Sequence, residues 1–317
     1  GGCSGGGGLA VSEGVQVKLS VRLLLILNRM FPAREHPFNL PGSYAEWQFE
    51  KAPHTLEGFG EFASPQEVVA GKRLLDAGCG AGGKTVYFAA AGARRAVGVD
   101  LVERYLADAR DLARRKGVEE RTEFITADVA CLPFPDHSFD VVVASDLMEH
   151  LVRPEAFLHE AARVLVPGGR LYISFPPYGH PFGAHLADAI GIPWVHLFCS
   201  EDTLGRAYAH LVKGLPDGEE RLRLRFGAMP GCGADRQVPG TAHSSRAARM
   251  RITYINHMSI RRFRGILRGL PLRVVHYRQL PLRPYLRPLA RLAPEYFTHL
   301  VVCILEKPLS VTSCDLA

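Results

Sequence analysis

The sequence of 317 residues predicts an α/β fold with a mostly parallel sheet. Three observations support this prediction. From residue 72 onward, short apolar segments alternate with segments of helical periodicity, which is typical of βαβ units. Gly, Asp or Pro residues separate these segments and provide the turns. The composition, with 47% hydrophobic and 22% charged residues, is ordinary for a globular protein and excludes a disordered or fibrous chain.

The predicted elements follow one another regularly up to residue 175. The predicted strands are Lys72–Ala77, Ala96–Val99, Thr122–Thr126, Phe139–Ala144 and Arg170–Phe175, with helices at Lys84–Ala91, Glu103–Lys116 and Glu155–Leu165. Farther along, the pattern predicts helices at Glu201–Val212 and Ser259–Leu267 and strands at Leu272–Gln279 and His299–Glu306. We expect the two late strands to complete the sheet as an antiparallel pair.

The composition changes along the chain and suggests four regions. Residues 1–70 form a flexible Gly-rich start (Gly1–Gly8) and an N-terminal helical cap, and residues 71–175 form a ligand-binding core. Residues 176–258, rich in Pro, Gly, His and Arg, are an insertion, and residues 259–317 complete the core. The seven cysteines show no paired spacing, which indicates reduced thiols in a cytoplasmic protein and no zinc site.

The charge is unevenly distributed. Residues 1–150 hold 16 Lys and Arg against 20 Asp and Glu, whereas residues 151–317 hold 22 against 12. The basic half fits an anionic partner such as a phosphate-bearing substrate, a membrane surface or nucleic acid; the alternative is a solvated basic surface. Within it, Arg221, Arg223 and Arg225 alternate with apolar residues, which predicts a strand with one cationic face.

The segment Leu19–Phe31 is the most apolar part of the chain, but it falls short of the ~20 apolar residues of a membrane-spanning helix. Its apolar side chains have helical spacing and predict an amphipathic helix; they are Leu19, Leu23, Ile26, Leu27 and Met30. This apolar face packs on the domain or, alternatively, makes peripheral contact with a membrane.

A glycine cluster follows the first strand of the core. Gly78, Gly80 and Gly82 let the backbone approach a ligand closely, but their spacing alone fits several nucleotide cofactors. Asp76 precedes them at the strand end, where a carboxylate suits an ammonium group and repels a pyrophosphate. Asp100 and Asp128 end the next two strands, in position for ribose hydroxyls and an exocyclic amine. A ligand that combines an amino acid with a nucleoside fits this set.

At these residues the sequence resembles the class I S-adenosylmethionine-dependent methyltransferases. The segments that carry the resemblance are LLDAGCGAGG at 74–83, VGVDL at 97–101, ADVACLPFPDHSFDVVVASDLMEHL at 127–151 and ARVLVPGGRLYISFP at 162–176. The resemblance implies a Rossmann-like seven-stranded sheet, mostly parallel with an antiparallel last strand, helices on both faces and an inserted lid between strands 5 and 6. It also implies S-adenosylmethionine as cofactor and S-adenosylhomocysteine as product.

The resemblance assigns a role to each matched position. The residues expected to hold the methionine part are Asp76, Gly78, Gly80 and Gly82, with Ser145 beside the sulfonium. Asp100 would bind the ribose, and the residues expected around the adenine are Leu101, Asp128 and Val129. The family's N-terminal helix often adds an aromatic ring above the cofactor, for which the candidates here are Tyr44, Trp47 and Phe49.

The function predicted from these residues is methyl transfer to a small-molecule acceptor, anionic and lipid-linked acceptors included, with O-methylation as the first expectation. The candidate general bases are His150 after the fourth strand and Tyr178, His180 and His185 after the fifth. His150 and His180 are placed first among them, and an imidazole accepts protons near neutral pH. We expect no metal site, because the Asp and Asn clusters that a divalent ion needs are not evident after the fourth strand beyond Asp146. The alternatives are a non-catalytic binding module, an RNA or protein methyltransferase, which lacks support from any RNA-binding motif, and a nicotinamide-dependent oxidoreductase, which Asp76 disfavours.

Overall fold

Seven strands form one sheet in the computed structural model, which describes residues 18–34, 43–62, 64–226 and 250–309. The strands are β1 (Arg73–Ala77), β2 (Arg95–Asp100), β3 (Thr122–Thr126), β4 (Phe139–Ser145), β5 (Leu165–Phe175), β6 (Arg273–Pro281) and β7 (Thr298–Glu306). Their order in the sheet is β3-β2-β1-β4-β5-β7-β6, and β7 is antiparallel to both of its neighbours. The predicted mostly parallel sheet with an antiparallel last strand is therefore confirmed.

Helices connect and cover the strands. They are α1 (Leu19–Asn28), α2 (Tyr44–Lys51), α3 (Pro65–Val69), α4 (Gly83–Ala90), α5 (Glu103–Arg115), α6 (Pro154–Val164), α7 (Val195–Phe198), α8 (Glu201–Val212), α9 (Gly218–Phe226), α10 (Ile260–Leu267), α11 (Arg287–Leu292) and α12 (Pro294–Phe297). Short 3₁₀ segments occupy Ala52–Phe62, Glu119–Arg121 and Pro284–Leu286. None of the helices in the described ranges is long and apolar enough to span a bilayer.

The two faces of the sheet bury separate apolar clusters, because side chains alternate along each strand. On one face, Leu75 and Val142 pack with Phe157 of α6 and Phe263 of α10. The opposite face carries a second cluster, whose members include Leu74, Val141, Phe88 of α4 and Leu106 of α5. Helices on both faces, as predicted, keep the sheet buried and leave its strand ends as the accessible edge.

The central strand β1 pairs with β2 on one side and β4 on the other, and all three run parallel. From β1 the chain continues to β2 and β3 on one side and then crosses back to β4 on the other side, so the carboxyl end of β1 lies at a topological switch point. Ligands of open α/β sheets bind at this position. The glycine cluster that follows β1 therefore occupies the expected binding edge.

The insertion after β5 has an apolar core of its own. Val21 and Leu24 of α1 pack there with Leu204 and Tyr208 of α8. In contrast, α2 packs on α4 of the sheet domain, where Ala45 joins the cluster of that face. The two N-terminal helices therefore cover different parts of the molecule. Residues 227–249 of the insertion and the Gly-rich start (Gly1–Gly8) lie outside the described residues.

The expectation that the apolar face of Leu19–Phe31 packs on the domain is wrong. The buried residues of α1 are Val21, Leu24 and Asn28, on the opposite face of the helix. The predicted apolar face is exposed, from 44% for Leu27 to 75% for Met30. Asn28 fixes this orientation, because its side-chain amide donates to the carbonyl of Ala189 at 3.0 Å and accepts from the amide of Gly191 at 3.0 Å.

The predicted cationic strand at residues 221–226 is also wrong, since this segment is helix α9. Arg221 and Arg225 lie four residues apart on one side of the helix, and both are buried against Asp188, at 3.4 and 3.1 Å. A further bond comes from Tyr208, whose hydroxyl donates to Asp188 Oδ2 at 2.7 Å. Two of the three arginines therefore neutralise a buried carboxylate and do not present a basic surface.

Candidate functional site

The glycine cluster forms a tight loop between β1 and α4. Gly78, Gly80 and Gly82 all have positive φ, between 55° and 73°, a conformation that side-chain-bearing residues rarely adopt. Gly82 also has a packing requirement, because a Cβ there would lie 2.4 Å from Ala109 and 2.7 Å from Phe124. The loop therefore depends on glycine both for its backbone conformation and for the close approach of α5 and β3.

The N-terminal helix α2 lies over this loop. The side chain of Gln48 accepts from the amide of Gly83 at 3.2 Å, and a Cβ on Gly80 would meet Gln48 at 2.9 Å and the Tyr44 hydroxyl at 3.7 Å. Tyr44 also packs edge-on against Tyr105 of α5. Of the three predicted aromatic candidates, Tyr44 is the one that the structure brings to the loop.

Phe49, a second candidate, packs instead against Tyr87 and under the ammonium group of Lys116. Trp47 contacts the ring of Tyr44, with ring centroids 6.1 Å apart. The three aromatic side chains of α2 therefore pack against different neighbours.

Asp76 is the most buried of the predicted acids. Its side chain lies beneath the glycine loop with 2% exposure and accepts a hydrogen bond from the Thr85 hydroxyl at 2.7 Å. Burial raises the pKa of Asp76 to about 6, and Thr85 and the nearby Lys84 moderate this effect. A carboxylate in such a place is stabilised by a cationic ligand group.

Asp100 joins the end of β2 to the glycine loop. One carboxylate oxygen accepts from the amide of Gly80 at 2.8 Å, and the other accepts from the amide of Val102 at 2.9 Å. A carboxylate has about four acceptor sites, so each oxygen retains capacity for a ligand hydroxyl. The adjacent Leu101 is 42% exposed and offers an apolar contact surface beside this carboxylate.

Asp128 and Val129 follow β3, and Ser145 ends β4. Asp128 Oδ1 accepts from the amide of Ala130 at 2.8 Å, and its other oxygen lies 3.5 Å from Arg153. Val129 is buried in the apolar cluster of its face. Ser145 is 9% exposed and accepts from the hydroxyl of Ser174 on β5 at 3.3 Å. The predicted residues thus lie at the carboxyl ends of neighbouring strands.

The loop after β4 contains a cluster that the sequence did not reveal. Glu149, His150 and His185 lie together, with one potential ligand atom of each within 4.8 Å of the others. His150 Nδ1 donates to the carbonyl of Tyr254 at 2.9 Å, and its ring packs against those of Tyr254 and His185. Burial lowers the pKa of His150, which keeps the imidazole neutral.

Glu149 adjoins a predicted site residue, and this adjacency was the only signal in the sequence that could have pointed to it. His185 comes from the insertion, 35 positions farther along, and no spacing rule connects it to the loop after β4. The expectation of no metal site rested on the spacing of the cysteines and on the lack of oxygen ligands after the fourth strand. Two of the three clustered side chains are instead imidazoles, which bind transition metals.

His180, the other candidate base, lies in a different environment. It is 7% exposed, its Nδ1 accepts from the amide of Phe182 at 3.2 Å, and its Nε2 bonds His299 at 3.3 Å. Burial, together with the nearby His299 and Arg34, lowers the pKa of His180 to about 3. Both ring nitrogens are engaged by protein groups, which suits a structural imidazole better than a proton acceptor.

Comparisons with known proteins agree with this geometry. A family model described as a methyltransferase domain matches residues 75–173. Methyltransferase GfsG of Streptomyces halstedii is 34% identical over 47% of this chain and 53% of that protein. The 27-O-demethylrifamycin SV methyltransferase of Amycolatopsis mediterranei is 42% identical over 32% of this chain and 38% of that protein. The chain thus spans about half the length of these relatives or less.

The similarity of fold extends beyond the matched segment. The crystal structure of the [4+2]-cyclase SpnF aligns with a TM-score of 0.50 over 92% of this chain and 93% of that chain, at 18% identity. This likeness concerns the fold alone. Residues 75–173 therefore match a methyltransferase-domain family, and the strand order and the glycine loop of this region agree with that match.

Proposed function

We propose that the protein is a methyltransferase that moves a methyl group from S-adenosylmethionine to a small-molecule acceptor. The observation that carries this proposal is the row of three carboxylates, Asp76, Asp100 and Asp128, at the carboxyl ends of three neighbouring parallel strands, the first of which leads into the glycine loop. The named activities of the two relatives described above support it.

The residues around the loop fit this cofactor. The buried Asp76 provides a negative charge for the ammonium group of the methionine part, and Asp100 has acceptor capacity for the ribose hydroxyls. Leu101 provides an exposed apolar surface next to Asp100, and Tyr44 lies close to Gly80 of the loop. When bound, S-adenosylmethionine supplies an activated methyl group for in-line displacement by an acceptor nucleophile.

The protein's own contribution is then to hold the acceptor and to receive its proton. Orientation in a closed site can account for about 7–11 kcal/mol of a reaction barrier. His150 is the favoured proton acceptor for O-methylation, since its Nδ1–H is bound to Tyr254 and its Nε2 retains a lone pair. We place His150 ahead of His180 because both nitrogens of His180 are bound within the protein.

The acceptor is proposed to be a hydroxyl-bearing small molecule presented at a membrane surface. The name of the Amycolatopsis mediterranei relative specifies O-methylation of a rifamycin-type small molecule. The exposed apolar face of α1, flanked by Arg22 and Arg29, suits contact with an anionic membrane. Because α1 packs on the insertion, a lipid-linked acceptor in that membrane would lie close to the insertion. A cytoplasmic enzyme in peripheral contact with the membrane fits these features.

The test of the proposed function is isothermal titration of the full chain with S-adenosylhomocysteine, with NADH as the control ligand. We expect micromolar binding of S-adenosylhomocysteine, no binding of NADH, and loss of binding in Asp100→Ala. Unchanged binding in Asp100→Ala would refute the ribose assignment. Binding without turnover of any hydroxyl acceptor in a mass-spectrometric screen would favour a non-catalytic module.

A further inference from the structure

We propose that Glu149, His150 and His185 form a binding site for a divalent transition-metal cation beside the glycine loop. The residues come from two segments that the fold brings together: the loop after β4 and the insertion after β5. The position is next to the cofactor loop, because Leu147 packs against Gly78 and the ammonium group of Lys84 lies 3.7 Å from Asp146.

The distances suit a shared cation. His150 Nε2 and His185 Nε2 each lie 3.9 Å from Glu149 Oε1. Metal–nitrogen and metal–oxygen bonds of about 2.0–2.2 Å allow two ligand atoms to be up to about 4.2 Å apart. All three ligand atoms lie within 4.8 Å of one another, so small side-chain rotations bring them onto one ion.

Glu149 provides the independent indication of a ligand. Its side chain is buried, with 3% exposure, and neither carboxylate oxygen accepts a hydrogen bond from any residue that the structure describes. A buried polar group without a partner is costly, and a buried carboxylate is normally paired or coordinates a metal.

The imidazole of His150 is already oriented as a metal ligand. Because its Nδ1–H donates to the carbonyl of Tyr254, the lone pair lies on Nε2, which is the atom 3.9 Å from Glu149. Metal-bound histidines commonly donate their other N–H to a backbone carbonyl in this way, which fixes both tautomer and ring orientation. Nε2 of His150 and the Glu149 carboxylate thus face each other as acceptors with no hydrogen bond between them.

The surrounding backbone holds this arrangement in place. The side-chain amide of Asn256 donates to the carbonyls of Met148 and Leu151, at 2.7 and 2.6 Å, and its backbone amide donates to the carbonyl of Glu149 at 2.7 Å. The loop that carries two of the three ligands is therefore bound to the segment that carries Tyr254. These hydrogen bonds fix the positions of the ligands, as a metal site requires.

Two imidazoles and one carboxylate favour a cation such as Zn²⁺, Mn²⁺, Fe²⁺ or Co²⁺ over Mg²⁺, which prefers oxygen ligands. Three protein ligands leave coordination positions open for an acceptor oxygen. The role of the ion rests on the proposed function: a hydroxyl bound to the ion releases its proton to solvent water more readily, and His150 then serves as a ligand instead of as the base. Binding of the ion itself does not depend on methyl transfer.

The test is titration of the metal-stripped full chain with Co²⁺, followed by calorimetry and by visible absorption. We expect one Co²⁺ per chain, with a spectrum of nitrogen and oxygen ligands that lacks the charge-transfer band of cysteine thiolates. Glu149→Gln and His185→Ala are each expected to weaken binding more than about 100-fold, because loss of a mere outer-shell partner already costs about 10–100-fold. Mg²⁺ is expected to bind far more weakly than Co²⁺.

The matched control is His159→Ala, which removes an exposed imidazole on α6 and should leave Co²⁺ binding unchanged. Melting temperatures of the metal-free proteins show whether each variant is folded, and Co²⁺ should raise the melting temperature of the wild type but not of Glu149→Gln. Absence of Co²⁺ binding, or equal binding by the wild type and both ligand variants, would overturn the site. Retained binding of S-adenosylhomocysteine would then leave the proposed function standing.

Discussion

At the scale of single residues, protonation of Asp76 is expected to control cofactor affinity. Burial raises the pKa of Asp76 to about 6, and only the ionised form attracts the ligand's ammonium group. Affinity for S-adenosylhomocysteine should therefore be constant above pH 6 and fall as the pH decreases through 6, by about ten-fold per pH unit. Calorimetric titrations between pH 5 and pH 8 measure this dependence.

Two variants test whether Asp76 is the group whose protonation causes this pH dependence. Asp76→Asn should bind weakly at all pH values and lose the pH dependence. Asp140→Asn is the control, since Asp140 pairs with Arg73 at 3.0 Å at the other end of the strands; it should keep the wild-type profile. An unaltered profile in Asp76→Asn would assign the titration to another group.

Site residues that follow consecutive parallel strands could be predicted from the sequence. Asp76, Asp100 and Asp128 each end a strand, and the carboxyl ends of parallel strands share one edge of the sheet. That Glu149 and His185 lie side by side could not be predicted, because their proximity depends on the irregular path of the insertion. The close packing that excludes a Cβ at Gly82 could not be predicted for a similar reason, because the neighbouring Ala109 and Phe124 are distant in sequence.

At the scale of secondary-structure elements, Asp188 joins three parts of the insertion. It accepts from Tyr208 of α8 and pairs with Arg221 and Arg225 of α9, and both arginines are about 3% exposed. Removing one partner of a buried ion pair leaves uncompensated charge and costs about 3–5 kcal/mol. Asp188→Asn should therefore lower the free energy of unfolding by that amount, as measured by urea denaturation.

Asp217→Asn is the comparison variant for this cluster. Asp217 also bonds Arg221, at 2.8 Å, but its side chain is 35% exposed, and such pairs contribute about 0–1 kcal/mol. If both variants lose the same free energy of unfolding, the burial of Asp188 does not increase the contribution of its ion pairs to stability.

The two elements that were predicted incorrectly share one cause. The periodicity of α1 correctly indicated which side chains lie on the same face, but not which face the protein buries. The alternation of Arg221, Arg223 and Arg225 with apolar residues suggested a strand, although Arg221 and Arg225 also have the spacing of one helical face. In both segments the tertiary partner, Asp188 for α9 and the backbone near Ala189 for α1, decided the outcome.

At the scale of the whole molecule, the sheet domain was the predictable part, whereas in the insertion only helix α8 was predicted correctly. Strict alternation of strands and helices leaves few topologies, because parallel crossovers are right-handed and sequential elements pack as neighbours. The insertion instead folds around a core of its own, assembled from α1, α8 and loop segments that lie far apart in sequence. This second core brings α1 to the surface with its most apolar face outward.

The surface formed by Leu19, Leu23, Ile26, Leu27 and Met30 is expected to bind anionic membranes. Arg22 and Arg29 flank it, and the helix Leu19–Asn28 contains no acidic residue, so charge and apolar surface act together. The full chain should sediment with vesicles that contain phosphatidylglycerol and bind neutral vesicles more weakly. The double variant Leu23→Gln, Ile26→Gln should bind at least about ten-fold more weakly, since each lost side chain contributes about 1.5–3 kcal/mol on full burial.

Both substituted residues are exposed, so this double variant should keep the wild-type melting temperature. The comparison variant is Val274→Gln, which changes an exposed apolar residue on β6 and should leave vesicle binding unaltered. Arg22→Gln with Arg29→Gln should reduce binding to anionic vesicles alone, by about 1 kcal/mol per arginine. If light scattering instead shows a dimer that the Leu23→Gln, Ile26→Gln variant dissociates, a second copy of the chain, and not a membrane, covers this face.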